Sequence, residues 1–249
     1  MPETYRTSIG VSTLDSIRLL GKDLPHELMG EVSFSDLAFW LVALRRPTQG
    51  ESRMFGAVLV ALADHGLTPT VLAARLTLTS APESIQGAMA AGILGGGSRF
   101  LGVVEDAARF LAEGLRADEP HAEVARALVQ RHPRIPGLGH PVHKDGDPRT
   151  PVIYALAEET GTLGPHLRLL RAVAAAHSEL TGRKLPINGA GSCGAALADL
   201  GFDPGIIRGF ALVARAAGLL GQIAEEIRDP IGLRLYDAVD RHAQYVDPR

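Results

Sequence analysis

Apolar residues recur at helical spacing along most of this chain, and continuous runs of β-branched residues are scarce. Such a pattern suits side chains that line one face of a helix rather than alternating across a strand. The spacing predicts helices over Phe34–Leu44, Glu51–Asp64, Thr70–Leu78, Ser84–Leu94, Val103–Leu115, His121–Gln130, Pro151–Glu159, His166–Leu180, Gly194–Leu200 and Pro204–Ile227. Ser33 and Ser35 are both placed to cap the first of these, and Pro69 and Pro82 sit near the starts of two others. A short strand pair near Thr7–Val11 is the expected departure from an almost all-α protein. Alanine, leucine and glycine dominate while aromatic residues make up only 5%, which suits close helix crossings lined by small side chains.

The 249 residues allow one large domain or two modest ones, and 46% apolar content supplies a core. A net charge of −3 makes no broad electrostatic case for nucleic acid or a membrane surface. Met1–Arg6 lacks the apolar centre of a secretory leader. The longest apolar stretch, Gly205–Ile227, contains Arg208, Arg215, Glu225 and Glu226, so no membrane span is expected. The single cysteine, Cys193, cannot form an internal disulfide, which fits a reducing cytoplasm. Its alanine-rich surroundings suggest packing rather than nucleophilic chemistry.

Three glycine-rich breaks interrupt the helices, at 92–102, 133–146 and 185–194. The second opens the densest run of chemistry in the chain, Ile135-Pro-Gly-Leu-Gly-His-Pro-Val-His-Lys-Asp-Gly-Asp-Pro-Arg149. Gly137 and Gly139 permit close backbone approach. His140 can exchange a proton near neutral pH. Lys144 offers a point charge suited to phosphate, and Arg149 a planar fork suited to carboxylate. Such a loop is a candidate for holding a small anion beside a proton-transfer group. His143, three residues after His140, reads equally as a spare acid or base, a phosphate contact, or a solvated loop histidine. No Cys, Asp or Glu completes a familiar ligand spacing with these histidines, so no metal is expected. Arg215 lies in the apolar part of a helix, where an unpaired charge is costly, and that favours an anionic partner.

The loop resembles the P-G-x-G-H…D-P-R element of the citrate synthase family, which includes citryl-CoA lyases. The resemblance runs from about Asp64 to about Pro230 and is most specific at this loop. The short length is similar to that of compact members assigned as citryl-CoA lyases. It implies a mainly α fold with a large helical domain (1–101 and 202–249) and a small CoA-binding-like helical domain (102–201), with the active site between them. It also implies a homodimer, no permanently bound cofactor, and a coenzyme A thioester as substrate.

By the same resemblance His140 is the catalytic group that polarises the reacting keto or hydroxyl oxygen. Arg149, Arg215 and Arg228 match carboxylate-binding arginines, Arg228 being the one supplied across the dimer interface with its spacing displaced by one residue. His65 matches a substrate-binding histidine. Read without the resemblance, His65 sits in Asp64-His65-Gly66, where Gly66 closes a helix and the imidazole faces the helix C-terminus. The backbone of Ile135, Gly137, Leu138 and Gly139 would meet the CoA adenine, and Lys144 its phosphates.

Two positions depart from the family. Phe100, in Ile93-Leu-Gly-Gly-Gly-Ser-Arg-Phe, stands where a histidine stabilises the enol or enolate. Ala190, in Pro186-Ile-Asn-Gly-Ala, stands where an N-x-D aspartate moves the α-proton, while Asn188 keeps the asparagine and is counted with the substrate-binding set. Ser98, Arg99, Glu105, Ser192 and His143 are candidate substitutes, although Glu105 also reads as an ordinary carboxylate in a first helical turn.

The leading expectation is a citryl-CoA lyase-like enzyme, or an acyl-CoA condensing enzyme and acyltransferase. It would make or break a carbon–carbon bond in the CoA thioester of a hydroxy-polycarboxylate, with a di- or tricarboxylate as the other small-molecule partner. The alternatives are a catalytically degenerate binder of CoA esters or carboxylates with a regulatory role, and a purely structural helical dimer.

Overall fold

The computed structural model describes residues 4–116 and 120–248. Residues 1–3, on which the reading of the leader partly rests, and residue 249 lie outside it, as do 117–119 within the expected small domain. The chain opens with an antiparallel meander of β1 (Gly10–Ser12), β2 (Ile17–Leu19) and β3 (Lys22–Asp23), in which Gly10 faces Leu19 and Arg18 faces Asp23. The expected strand pair is thus a three-stranded unit that starts later than Thr7. A single π turn, Leu24–Leu28, follows, its first turn capped by the Asp23 carboxylate accepting from the His26 N–H.

Eleven α-helices occupy most of the remaining described residues. They are α1 (Phe34–Ala43), α2 (Gln49–Ala63), α3 (Pro69–Ser80), α4 (Ile85–Leu94), α5 (Gly102–Gly114), α6 (His121–Arg131), α7 (Arg149–Thr160), α8 (Pro165–Thr181), α9 (Gly189–Asp199), α10 (Pro204–Arg228) and α11 (Gly232–Asp240). Local caps explain several starts. Ser33, not Ser35, accepts from the Asp36 N–H to begin α1. Thr48 and Glu51 form a reciprocal capping box on α2. Arg45 grips the Glu51 carboxylate with two guanidinium nitrogens, at 2.6 and 2.8 Å, and pulls its pKa down to about 2.

Three local readings are revised. α2 ends at Ala63; Asp64 is extended, and Gly66, at φ +69°, lies in the turn beyond rather than capping the helix. α9 starts at Gly189, five residues before Gly194, because Asn188 caps it and the small residues of its first turn are buried against neighbouring backbone. α11 follows Pro230 and lies beyond the last helix that the spacing predicts. Its first N–H groups are taken by a carboxylate of the preceding helix, as Glu226 accepts from Ile231 and Gly232.

α10 is the axis of the packing and contacts α2, α3, α4, α5 and α9. By length and hydropathy it could cross a membrane. Its buried Arg215 and Glu226, and its helical neighbours, fit a core helix instead. Its own Phe210 clusters with Phe39, Phe55 and Phe202, with ring centroids 4.4 to 5.8 Å apart in edge-on and tilted pairs. On its other side Val71, Ala74, Leu78, Ala88, Leu219 and Ile223 form a smaller apolar cluster with α3 and α4. Glycines set the closest approaches. A Cβ at Gly194 would stand 2.2 Å from the Val104 carbonyl oxygen where α9 crosses α5. A Cβ at Gly218 would stand 1.9 Å from the Ala63 carbonyl oxygen where α10 crosses the end of α2. That second crossing brings the turn after α2 next to the middle of α10.

Candidate active site

The end of α2, the loop before α5, the loop before α7, the start of α9 and the middle of α10 enclose a cleft of about 350 Å³. His65, His140, Arg149, Asn188 and Arg215 all line it, as do Gly139, Phe100 and Ala190. Residues spread over about 150 positions of sequence therefore meet in one place. The other expected residues lie elsewhere. Ile135 is 6% exposed and belongs to the core. Gly137 packs on Gly191, and Leu138 bridges to Ile187. Lys144 sits beside the cleft, and Arg228 is exposed at the end of α10, away from this chain's cleft.

The loop holding His140 is fastened to the start of α9. Gly139 N–H donates to the Pro186 carbonyl at 2.7 Å, and Asn188 N–H donates to the Gly137 carbonyl at 2.9 Å. The Asn188 side chain closes the clamp, donating to the Gly139 carbonyl at 2.7 Å and accepting from the Gly191 N–H at 2.8 Å. Much of its hydrogen-bonding capacity is thus spent on holding the loop.

His140 is held in one tautomer. Its Nδ1 accepts from the backbone N–H groups of Val142 at 3.1 Å and His143 at 2.9 Å. The neutral ring therefore carries its proton on Nε2. Burial, then the neighbouring His143, lowers its pKa below the ordinary histidine value. His140 is consequently a neutral Nε2–H donor, suited to a substrate oxygen that gains negative character.

Arg149 is oriented by Asp147, whose side chain is fully buried. Nε and Nη2 donate to the two carboxylate oxygens at 3.0 and 2.8 Å, and Nη1 donates to the Ala61 carbonyl in the last turn of α2 at 3.1 Å. Asp147 also accepts the Gly189 N–H at 2.6 Å and the Arg149 N–H at 3.1 Å. Burial alone would raise this carboxyl, but the bonds from Arg149 and the two N–H groups outweigh it and hold the pKa far below the usual range. The remaining guanidinium hydrogens are free for a ligand.

Arg215 is left unsatisfied. Its side chain is 6% exposed, yet neither Nε nor Nη1 has a hydrogen-bond partner, and its nearest carboxylate, Asp64, is 4.0 Å away. Burial lowers its pKa. A buried, underpaired guanidinium in a cleft is a receptor for an anion.

The candidate substitutes separate by environment. Glu105 pairs with Arg109 at 2.8 Å and Arg208 at 2.9 Å. Ser192 is buried and donates to helix carbonyls. Neither is free for chemistry. Arg99 lines the cleft, next to Phe100. Cys193 is buried and its thiol is pushed up to about 12, which agrees with a packing role.

Several participants escaped the sequence reading. Asp147 stands in the same Asp-Pro-Arg element as Arg149, so a signal was there. Thr68 lines the cleft. Arg183 and Lys184 join Lys144, Gly139 and His140 around an adjoining pocket of about 390 Å³. The basic pair after α8 was the available hint. His143, already a candidate from the sequence, adds a third imidazole, since the ring nitrogens of His65, His140 and His143 lie within 4.8 Å of one another. Such a trio resembles a metal triad, but the hydrogen on Nε2 of His140 leaves no lone pair directed at a cation.

A family model described as the citrate synthase C-terminal domain matches residues 20–235. The structure is similar to citryl-CoA lyase from Hydrogenobacter thermophilus, with a TM-score of 0.88 and 31% identity, covering 99% of this chain and 96% of that one. It also shares its fold with an ATP citrate lyase from Methanothrix soehngenii in complex with citrate and coenzyme A, with a TM-score of 0.83 and 21% identity, covering 100% of this chain and 42% of that one. Among curated proteins, a probable ATP-citrate synthase of Dictyostelium discoideum is 25% identical over 92% of this chain. The match spans only 39% of that longer protein.

Proposed function

The chain belongs to the citrate synthase family, and from that premise we propose that it is a citryl-CoA lyase-like enzyme. It makes or breaks a carbon–carbon bond within the CoA thioester of a hydroxy-polycarboxylate, as in citryl-CoA giving acetyl-CoA and oxaloacetate. The observation that carries this reading is the convergence of the tautomerically fixed His140 with two arginines that retain free donors, one of them almost unpartnered.

In this reading Arg149 and Arg215 hold carboxylates. His140 donates from Nε2 to the oxygen on the carbon where the bond breaks. Its donor is already in place, so little reorganisation is needed as charge develops on that oxygen. Gly139 and the adjoining group of Lys144, Arg183 and Lys184 form an electropositive path for CoA phosphates. The CoA moiety supplies binding energy remote from the reacting bond.

A homodimer fits the position of Arg228, which is exposed and could complete the cleft of a second copy. The same reading keeps a large domain of 1–101 with 202–249 and a small domain of 102–201, with residues of both lining the cleft.

The test is cleavage of citryl-CoA by the purified protein, with acetyl-CoA read by mass spectrometry. Cleavage is expected, and His140→Ala should reduce it by about 100-fold or more, as for the removal of a single preorganised donor. Folded wild-type protein that forms no acetyl-CoA refutes the citryl-CoA reaction. A second reading has one specific support: Phe100 and Ala190 both line the cleft, and neither can move a proton. A non-catalytic binder of the same ligands would be stabilised by CoA or citrate without turnover.

A further inference from the structure

We propose that Gln222 is a positioning residue that holds the Asp64 carboxylate off Arg215, so that the guanidinium stays open to a substrate carboxylate. The proposal rests on the reading given above, in which Arg215 receives such a carboxylate.

An anion receptor in this cleft has a competitor in its own chain. Asp64, in the turn after α2, brings Oδ1 to 4.0 Å from Arg215 Nη1. That Nη1, like Nε, has no hydrogen-bond partner. A carboxylate so placed would ordinarily close the gap, because a charge-assisted bond at about 2.8 Å is among the strong ones. A small rotation of the Asp64 side chain would deliver it. The closed pair would cancel the charge and spend the donor that a ligand needs.

Both oxygens of Asp64 are held elsewhere instead. Oδ2 accepts from the Gly66 N–H at 2.8 Å, and Oδ1 accepts from Gln222 Nε2 at 3.1 Å. Gln222 stands about two turns after Arg215 on the same face of α10. Its amide is fixed in one orientation. Arg75 on α3, 2% exposed, donates to Gln222 Oε1 from Nε at 3.1 Å and from Nη2 at 2.5 Å. The Arg75 guanidinium is itself gripped by Glu225 and, at 3.1 Å, by Glu226. With its carbonyl end on a buried cation, the amide must turn its N–H donors toward Asp64.

The tether thus runs from the packed side of α3 and α10 to the carboxylate nearest Arg215. At its held distance Asp64 still acts through space. Burial lowers the Arg215 pKa most, Asp64 raises it, and Arg149 lowers it further. The receptor is steadied by a charge that does not occupy it.

The experiment measures citrate binding by calorimetry and citryl-CoA cleavage in wild type and three variants. Gln222→Glu keeps the acceptor for Arg75 but repels the carboxylate that the amide holds. It is expected to weaken citrate binding and raise KM by about 10-fold, the worth of one charged hydrogen bond, with kcat nearly unchanged. Combining it with Asp64→Asn restores the bond with donor and acceptor exchanged and removes the competing charge. That double variant should bind citrate as wild type does. Asp64→Glu leaves α10 untouched and gives the carboxylate the length to reach Arg215, so it should weaken binding as Gln222→Glu does. A glutamine that only supports Arg75 predicts wild-type affinity in Gln222→Glu, and that result overturns the proposal. So does a double variant as weak as Gln222→Glu, which would trace the loss to the added charge alone. Wild-type affinity in Asp64→Glu overturns it as well. Folded wild type that binds citrate but cleaves no citryl-CoA refutes the lyase reading alone, because the titrations still test the tether. Wild type that does not bind citrate overturns the role of Arg215 and this proposal with it.

Discussion

Arg215 is costly to the empty protein because its guanidinium is buried without enough partners. The same isolation makes it useful once an anion arrives. Arg215→Met, which fills similar space without charge, is therefore expected to leave the unliganded protein as stable as wild type or to stabilise it by about 1 kcal/mol. Citrate should raise the melting temperature of wild type and have little effect on this variant. Urea unfolding and thermal melts with and without citrate measure both effects. A large destabilisation of unliganded Arg215→Met would mean that the guanidinium is structurally satisfied after all. Asn188 teaches a complementary lesson. Its residue type suits a ligand contact, yet its side chain spans Gly139 and Gly191 and fixes the loop carrying His140. Chemical type alone does not separate these roles, because an amide serves either equally well.

At the scale of elements, the small residues that weaken helix propensity mark the places where helices approach most closely. Gly218 separates α10 from the Ala63 carbonyl that precedes the Asp64–His65 turn. Gly218→Ala must push these two backbones apart. It is expected to destabilise the fold by about 2 kcal/mol, as other overpacked core positions do, and to reduce citrate binding by moving His65 relative to Arg215. Denaturant unfolding and citrate calorimetry test the two parts. An alanine variant with native stability would show that the crossing relaxes at no cost. Most helices were legible from periodicity and caps, since both are local. The start of α9 was not, because its glycine-rich turn looks like a loop until its burial against α5 and Gly137 is seen. α11 was hidden for a related reason, its cap being the carboxylate of Glu226 on another helix.

For the whole molecule, the ionisations in the cleft link stability to acidity. His65 and His140 both have pKa values below the ordinary value of 6.5. Below that value the unfolded chain binds more protons than the folded one, so stability falls as the pH drops from about 7. Above it both states are neutral and these groups contribute no slope. Asp147, also depressed, contributes stability above its ordinary value of 3.8 that is lost in stronger acid. Melting temperature is therefore expected to be nearly flat above neutrality, as far as these groups are concerned, and to decline as the histidines are forced to charge. His65→Gln should make the first part of the decline shallower. An unchanged acid slope in that variant would show that His65 titrates as it does in the unfolded chain.

The sequence by itself determined the helical architecture, the glycine-rich loop and the residue types needed to bind an anion beside a proton donor. Those properties depend on neighbours within a few positions, so periodicity and motif spacing express them directly. Only the tertiary structure decided which groups would share a cleft and in what chemical state. The crossing of α2 and α10 brought His65 beside Arg215. Folding of the 135–149 loop onto α9 turned His140 into a fixed donor and spent Asn188 on holding it there. The physical reason is that tautomer, pairing and desolvation depend on atoms supplied by remote segments, and a linear spacing carries no record of how those segments approach.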